Sequence, residues 1–125
     1  MARILIAEDE EALCALCARA LATDSHEVKT ACDGSDALDL LVREEGRFDL
    51  LVTDIRMPIM DGIALALAAA RDYPDLIILL MTGYADQRER AHGLDAIIHD
   101  VIAKPFSVAA LRDAVNEALT VKARG

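Results

Sequence analysis

The sequence predicts an α/β fold, an open five-stranded parallel sheet with helices on both faces, and three observations predict it. Short aliphatic runs alternate five times with longer segments of helical period. One run, Leu76 to Met81, is apolar throughout, as a parallel strand covered on both faces must be. Acidic, hydroxyl or basic residues stand where four of the runs end. At 125 residues the whole chain, 1–125, reads as one domain.

The first strand is Ile4 to Ala7, and the helix after it gathers Leu13, Leu16, Cys17, Ala20 and Leu21 on one face. A second strand, His26 to Ala31, leads through Asp33-Gly34-Ser35 into a helix containing Ala37 and Leu41. Ser35 is the predicted N-cap and Gly46 the stop. Phe48 to Thr53 forms the third strand, followed by a loop with Pro58 and Gly62. The helix Ile63 to Arg71 is nearly apolar all round and is closed by Pro74. After the central strand Leu76 to Met81 comes a short, charged helical segment, Asp86 to Gly93. Val101 to Ala103 is the last strand. The closing helix starts near Ser107, and Val108, Leu111, Val115, Ala118 and Leu119 form its buried stripe.

With 54% apolar residues, no Trp and only four Phe or Tyr, the core is aliphatic and needs no disulfide. A net charge of −9 repels phosphate backbones and anionic lipid, which argues against direct DNA or membrane binding. The chain carries neither a membrane-length apolar run nor an N-terminal signal, so a cytoplasmic location is expected. Cys14 and Cys17 form a CxxC inside a helical pattern, without the strand context of a redox pair or a second pair for zinc. With Cys32 they read as reduced thiols. His26, His92 and His99 form no spaced ligand set.

In an open parallel sheet, ligands bind outside the carboxyl ends of the strands. There the first strand delivers Glu8, Asp9 and Glu10, the third Asp54, the fourth Thr82 and the fifth Lys104. Glu10 opens the first helix, where a carboxylate suits the positive end of the dipole. The remaining carboxylates repel one another unless a cation neutralises them, and hard oxygen donors without nearby His or Cys suit Mg²⁺. Mg²⁺, a hydroxyl and an ammonium would together neutralise the oxygens of a transferring phosphoryl group, with one carboxylate as nucleophile.

The segments RILIAEDE, TDIRMPIMDG, LLMTG and AKPF resemble, in order and across the whole chain, the signatures of the CheY-like response-regulator receiver family. The intervals are 45 residues from Asp9 to Asp54, 28 to Thr82 and 50 from Asp54 to Lys104. The resemblance implies a flavodoxin-like (βα)5 fold and a phosphorylated switch of two-component systems, not an enzyme. It makes Asp54 the phosphoryl acceptor. Asp9, Asp54 and the backbone carbonyl of Arg56 would ligate Mg²⁺ directly, with Glu8 acting partly through water. Thr82 would donate its hydroxyl to the phosphoryl group, and Lys104 would pair with that group and with Asp54. A cis Lys104-Pro105 bond is implied, which is inexpensive before proline.

Glu8 stands where the family commonly has Asp, and Val101 where it commonly has an aromatic that rotates with Thr82. Tyr84 is the nearest substitute. Ile97 and Ile98 replace a common Gly-Ala pair. The segment Met81 to Ser107 and the absence of an output domain resemble the CpdR group of cell-cycle regulators. That implies a histidine kinase or histidine phosphotransferase as donor and a role as adaptor for the ClpXP protease. A relay intermediate that passes phosphate to a phosphotransferase is the alternative. A phosphatase with an aspartate nucleophile would want an acid where Arg56 stands, and a flavin module would be repelled by Glu8, Asp9 and Glu10.

Overall fold

Side chains alternate across each strand, so a sheet with helices on both faces buries two separate sets of them. The computed structural model describes residues 2–83, 91 and 93–124. Its elements run β1 Arg3–Ala7, α1 Glu11–Thr23, β2 Glu27–Ala31, α2 Gly34–Arg43, β3 Leu50–Asp54, α3 Gly62–Asp72, β4 Ile77–Thr82, β5 Asp100–Ala103 and α4 Val108–Arg124. All strand pairs are parallel, in the order β2-β1-β3-β4-β5. This is the predicted fold class. The predicted charged helix, Asp86 to Gly93, lies outside the described residues except for Ala91 and Gly93, as do Tyr84 and His92.

One face of the sheet carries Leu5, Ala7, Leu51, Ile78 and Leu80 against Ala37 and Leu41 of α2 and Leu65, Ala66 and Ala69 of α3. The other carries Ile4, Ile6, Leu50, Val52, Leu79, Met81 and Ile102 against Cys17 and Leu21 of α1 and Leu111, Val115 and Ala118 of α4. The core is aliphatic, as composition predicts. Ile97 and Ile98 close a turn whose N–H groups both donate to the Leu94 carbonyl, at 2.9 and 3.0 Å. That turn drops Ile98 into the first core beside Ala91.

The predicted N-cap of α2 needs correcting. Asp33, not Ser35, caps it by accepting the Asp36 N–H at 2.8 Å. Gly34 is already helical because its backbone is pressed against Met60, whose carbonyl accepts the Gly34 N–H at 3.1 Å. That starts the helix earlier than the side chains suggest. At its other end the Gly46 N–H donates to the Leu41 carbonyl at 2.7 Å, with Gly46 at φ +69° and the Tyr73 ring packed where a side chain would stand. Ser107 accepts the Ala110 N–H at 3.0 Å at the head of α4, as predicted.

The strand order reverses between β1 and β3, whose C-terminal ends therefore flank a crevice. α3 begins there. Asp61 caps it by accepting the Ala64 N–H at 2.9 Å, and the Gly62 N–H donates to the Ile55 carbonyl at 2.7 Å. A β-carbon on Gly62 would sit 1.9 Å from the Asp54 carbonyl oxygen, so only glycine lets the loop return this close to the end of β3.

Candidate functional site

Four strand ends deliver the site. Glu8 and Asp9 follow β1, Asp54 ends β3, Thr82 ends β4 and Lys104 follows β5. They open onto a cavity of about 680 Å³ walled by Glu8, Asp9, Asp54, Arg56, Gly83 and Lys104 and rimmed by Leu13 and Phe106. One carboxylate oxygen from each of Glu8, Asp9 and Asp54 lies within 4.8 Å of the others, the one such group of potential ligands among the described residues.

The three carboxylates are not equivalent. Glu8 is fully buried. Its Oε1 accepts from Lys104 Nζ at 2.7 Å and its Oε2 from the Glu10 N–H at 3.0 Å, so both oxygens have protein donors. Asp54 is almost fully buried, and its Oδ2 lies 3.1 Å from Lys104 Nζ. Asp9 is exposed at the mouth. Its pKa is raised, chiefly by desolvation and then by its hydrogen bond with Glu8 and the adjacent charge.

Lys104 is the counter-ion. Burial pulls its pKa down more than any other single influence, yet its hydrogen bonds to Glu8 and Asp54 and their charges together outweigh it and raise the pKa. The ammonium is therefore held charged. Four lining carboxylates, those of Glu8, Asp9, Glu10 and Asp54, against the two cations Lys104 and Arg56 leave the pocket with about two excess negative charges when all are ionised. An all-oxygen donor set with that surplus suits a hard divalent cation of the Mg²⁺ type.

Thr82 is buried one residue behind Gly83, and its carbonyl accepts the Lys104 N–H at 2.7 Å. The backbone that would carry a hydroxyl to the site thus also anchors the lysine. Lys104-Pro105 is cis, as expected. Arg56 lines the cavity with its side chain exposed. Val101 is half-buried on β5 against the first core, beside Leu80 in the sheet.

Of the residues expected from sequence, Glu8, Asp9, Asp54, Arg56 and Lys104 line one cavity while Thr82 lies behind Gly83 and is not on its wall; that Glu8 is the nearer partner of Lys104 was not foreseen. Glu10 stands at the N-cap of α1, where its side chain makes no capping hydrogen bond and its N–H serves Glu8. The cysteines are free thiols, and burial pushes Cys17 up to about 11, which makes it a poor nucleophile. His26 Nδ1 accepts the Ala2 N–H at 3.1 Å and His99 lies beside Glu117, both far in sequence from the acidic cluster.

Against known proteins, the profile of the response regulator receiver domain matches residues 4–116. The response regulator MprA of Mycobacterium avium (strain 104) is 36% identical over 106 residues, covering 85% of this chain and 46% of that protein. The chain thus spans about half the length of such relatives. The CheY-like receiver domain protein of Methanospirillum hungatei JF-1 superposes with a TM-score of 0.90 at 27% identity, over 99% of this chain and 98% of that one. The response regulator TrrA of Thermotoga maritima, solved in complex with Mg²⁺-BeF, gives 0.83 at 28% identity, over 94% of this chain and 99% of the other. Among the described residues no helix is long and apolar enough to cross a membrane.

Proposed function

Since this chain belongs to the response-regulator receiver family, we propose that it is a cytoplasmic phosphoryl-accepting switch, not a turnover enzyme, with Asp54 as acceptor. The observation that carries this reading is the buried Asp54 carboxylate 3.1 Å from the Lys104 ammonium and grouped with Glu8 and Asp9. A carboxylate oxygen of Asp54 forms the new bond to phosphorus as the phosphorus–nitrogen bond of a phosphohistidine donor breaks. The departing imidazole nitrogen keeps the bonding pair and takes its proton from water. Lys104 then turns its charge to the phosphoryl oxygens, and Thr82 offers its hydroxyl to the same group.

Mg²⁺, held by Asp9, Asp54 and the Arg56 carbonyl, would supply charge neutralisation for attacking group and phosphoryl oxygens alike. Glu8, whose oxygens accept from Lys104 and from the Glu10 N–H, would take part through water. The test is labelling with acetyl phosphate or beryllofluoride plus Mg²⁺, mapped by mass spectrometry. Wild type is expected to be modified at Asp54 and Asp54→Asn not at all, and undiminished labelling of the variant would falsify the assignment.

For output, the resemblance to the CpdR group favours a ClpXP adaptor competent when unphosphorylated, over a relay intermediate. Support comes from Val101, whose aliphatic side chain takes the usual place of the rotating aromatic and changes the face beside β5. A pull-down with wild type, Asp54→Ala and beryllofluoride-treated protein separates these. Protease subunits are expected in the first two, and recovery of phosphotransferases alone points to the relay.

A further inference from the structure

Lys104 has two carboxylates within reach, and the fold does not treat them alike. Its ammonium lies 2.7 Å from Oε1 of Glu8 and 3.1 Å from Oδ2 of Asp54. The Glu8 side chain has no exposure to water, against 8% for that of Asp54. A carboxylate stripped of water depends on its partner more than one that keeps some solvent. Nearness and burial therefore both point to Glu8.

Glu8 is itself anchored. Its backbone N–H donates to the Ala31 carbonyl of β2 at 3.1 Å, and its Oε2 accepts the Glu10 N–H at 3.0 Å at the head of α1. Lys104 is fixed at its base, where its N–H donates to the Thr82 carbonyl at 2.7 Å. The lysine is thus gripped at both ends, by β4 through its backbone and by Glu8 through its ammonium. Side-chain length makes this possible. An aspartate at position 8 would end one carbon–carbon bond, about 1.5 Å, short of Glu8, beyond hydrogen-bond distance of an ammonium in this place. It would still reach the N–H two residues on, as short acidic side chains commonly do.

We propose that Glu8 is a positioning residue for phosphoryl transfer: in the unphosphorylated chain Glu8, rather than Asp54, holds the Lys104 ammonium over the cavity. The inference rests on the acceptor reading of Asp54 and deepens it. An ammonium bonded tightly to the attacking oxygen would draw on the electron pair that must form the new bond to phosphorus. Parked on Glu8, the same charge makes only the longer, 3.1 Å contact with the nucleophile and already stands where phosphoryl oxygens need it.

The experiment asks which carboxylate holds the ammonium. In ¹⁵N-labelled protein in EDTA, a lysine NH₃⁺ group fixed in a hydrogen bond gives a resolved resonance, whereas one open to water loses it to proton exchange. The Lys104 resonance, assigned by its absence from Lys104→Met, is expected in wild type and in Asp54→Asn and is expected to vanish in Glu8→Asp. Its absence from wild type, its loss in Asp54→Asn or its survival in Glu8→Asp would overturn the proposal. Double-mutant cycles in urea unfolding, built from Glu8→Gln, Asp54→Asn and Lys104→Met, give a second measure. The Glu8–Lys104 coupling is expected to change the unfolding constant about tenfold or more, and the Asp54–Lys104 coupling less than about threefold. Equal couplings, or a larger one for Asp54, would reverse the assignment. With saturating Mg²⁺, Glu8→Asp is expected to take label from acetyl phosphate roughly fivefold more slowly at unchanged KM, and a wild-type rate would deny the positioning role. Failure of wild type to take any label would instead overturn the acceptor reading, with the resonance still deciding which carboxylate holds Lys104.

Discussion

At the scale of single residues, the pocket is a problem in unbalanced charge. Asp9 illustrates its sign. Its pKa is raised in the folded chain, so its contribution to stability is present below the unfolded value near 4 and is lost as pH rises through the folded value. Without metal, ionised Asp9 is therefore a burden at neutral pH. Asp9→Asn is expected to stabilise the chain slightly in EDTA at pH 7, by less than about 1 kcal/mol because the group is exposed, and to leave no difference at pH 3. It should also abolish the rise in Tm on adding Mg²⁺. A larger Mg²⁺ response in the variant would contradict both halves. Lys104→Met removes the only cation that faces fully buried Glu8 among the described contacts, and is expected to destabilise the metal-free chain by about 3 kcal/mol in urea unfolding, with part recovered by Mg²⁺. The site residues were legible because each stands where an aliphatic run stops. The Glu8–Lys104 pairing was not, since it depends on a side-chain reach that only the assembled strands define. Ile59 was not legible either: nothing in Pro58-Ile59-Met60 announces a left-handed backbone, φ +69°, at a β-branched residue.

At the scale of elements, the loops before α2 and α3 matter more than the helices they introduce. Five strands and their order of appearance were readable from apolar runs and turn residues, to within one or two positions. The start of α2 was not, because Asp33 and Ser35 are both good caps and the choice is made by Met60, a contact 26 residues away. Gly62 is the tightest point. Gly62→Ala forces a β-carbon against the Asp54 backbone, and is expected to lower stability by about 3 kcal/mol and to slow phosphorylation, as read by urea unfolding and acetyl phosphate labelling. A second inter-element link is testable by pH. Asp24 at the end of α1 accepts from Arg112 Nε of α4 at 2.8 Å, and that hydrogen bond holds its carboxyl below the usual range. A depressed pKa stabilises above the unfolded value and fades as pH falls through the folded one. Asp24→Asn should thus lower the urea midpoint at pH 7, with the gap to wild type closing below about pH 4. A gap that persists unchanged to pH 2 would show that packing, not charge, joins the two helices.

At the scale of the whole molecule, the sheet threads the chain so that its first and last strands meet in function without touching as strands. β1 lies near one edge and β5 forms the other, yet Lys104 after β5 grips Glu8 after β1, a contact spanning 96 residues. A polypeptide emerging from the ribosome has Asp9, Asp54 and Thr82 long before it has Lys104, and domains fold as units once enough of them is made. Until β5 is laid against β4, Asp54 has neither its counter-ion nor a closed wall. A chain stopped after residue 99 is therefore expected to take no label from acetyl phosphate, although it carries Asp54, and supplying the missing strand and helix as a peptide should restore some. On the acceptor reading of Asp54, the capacity to take the label then reports that β5 and α4 are in place.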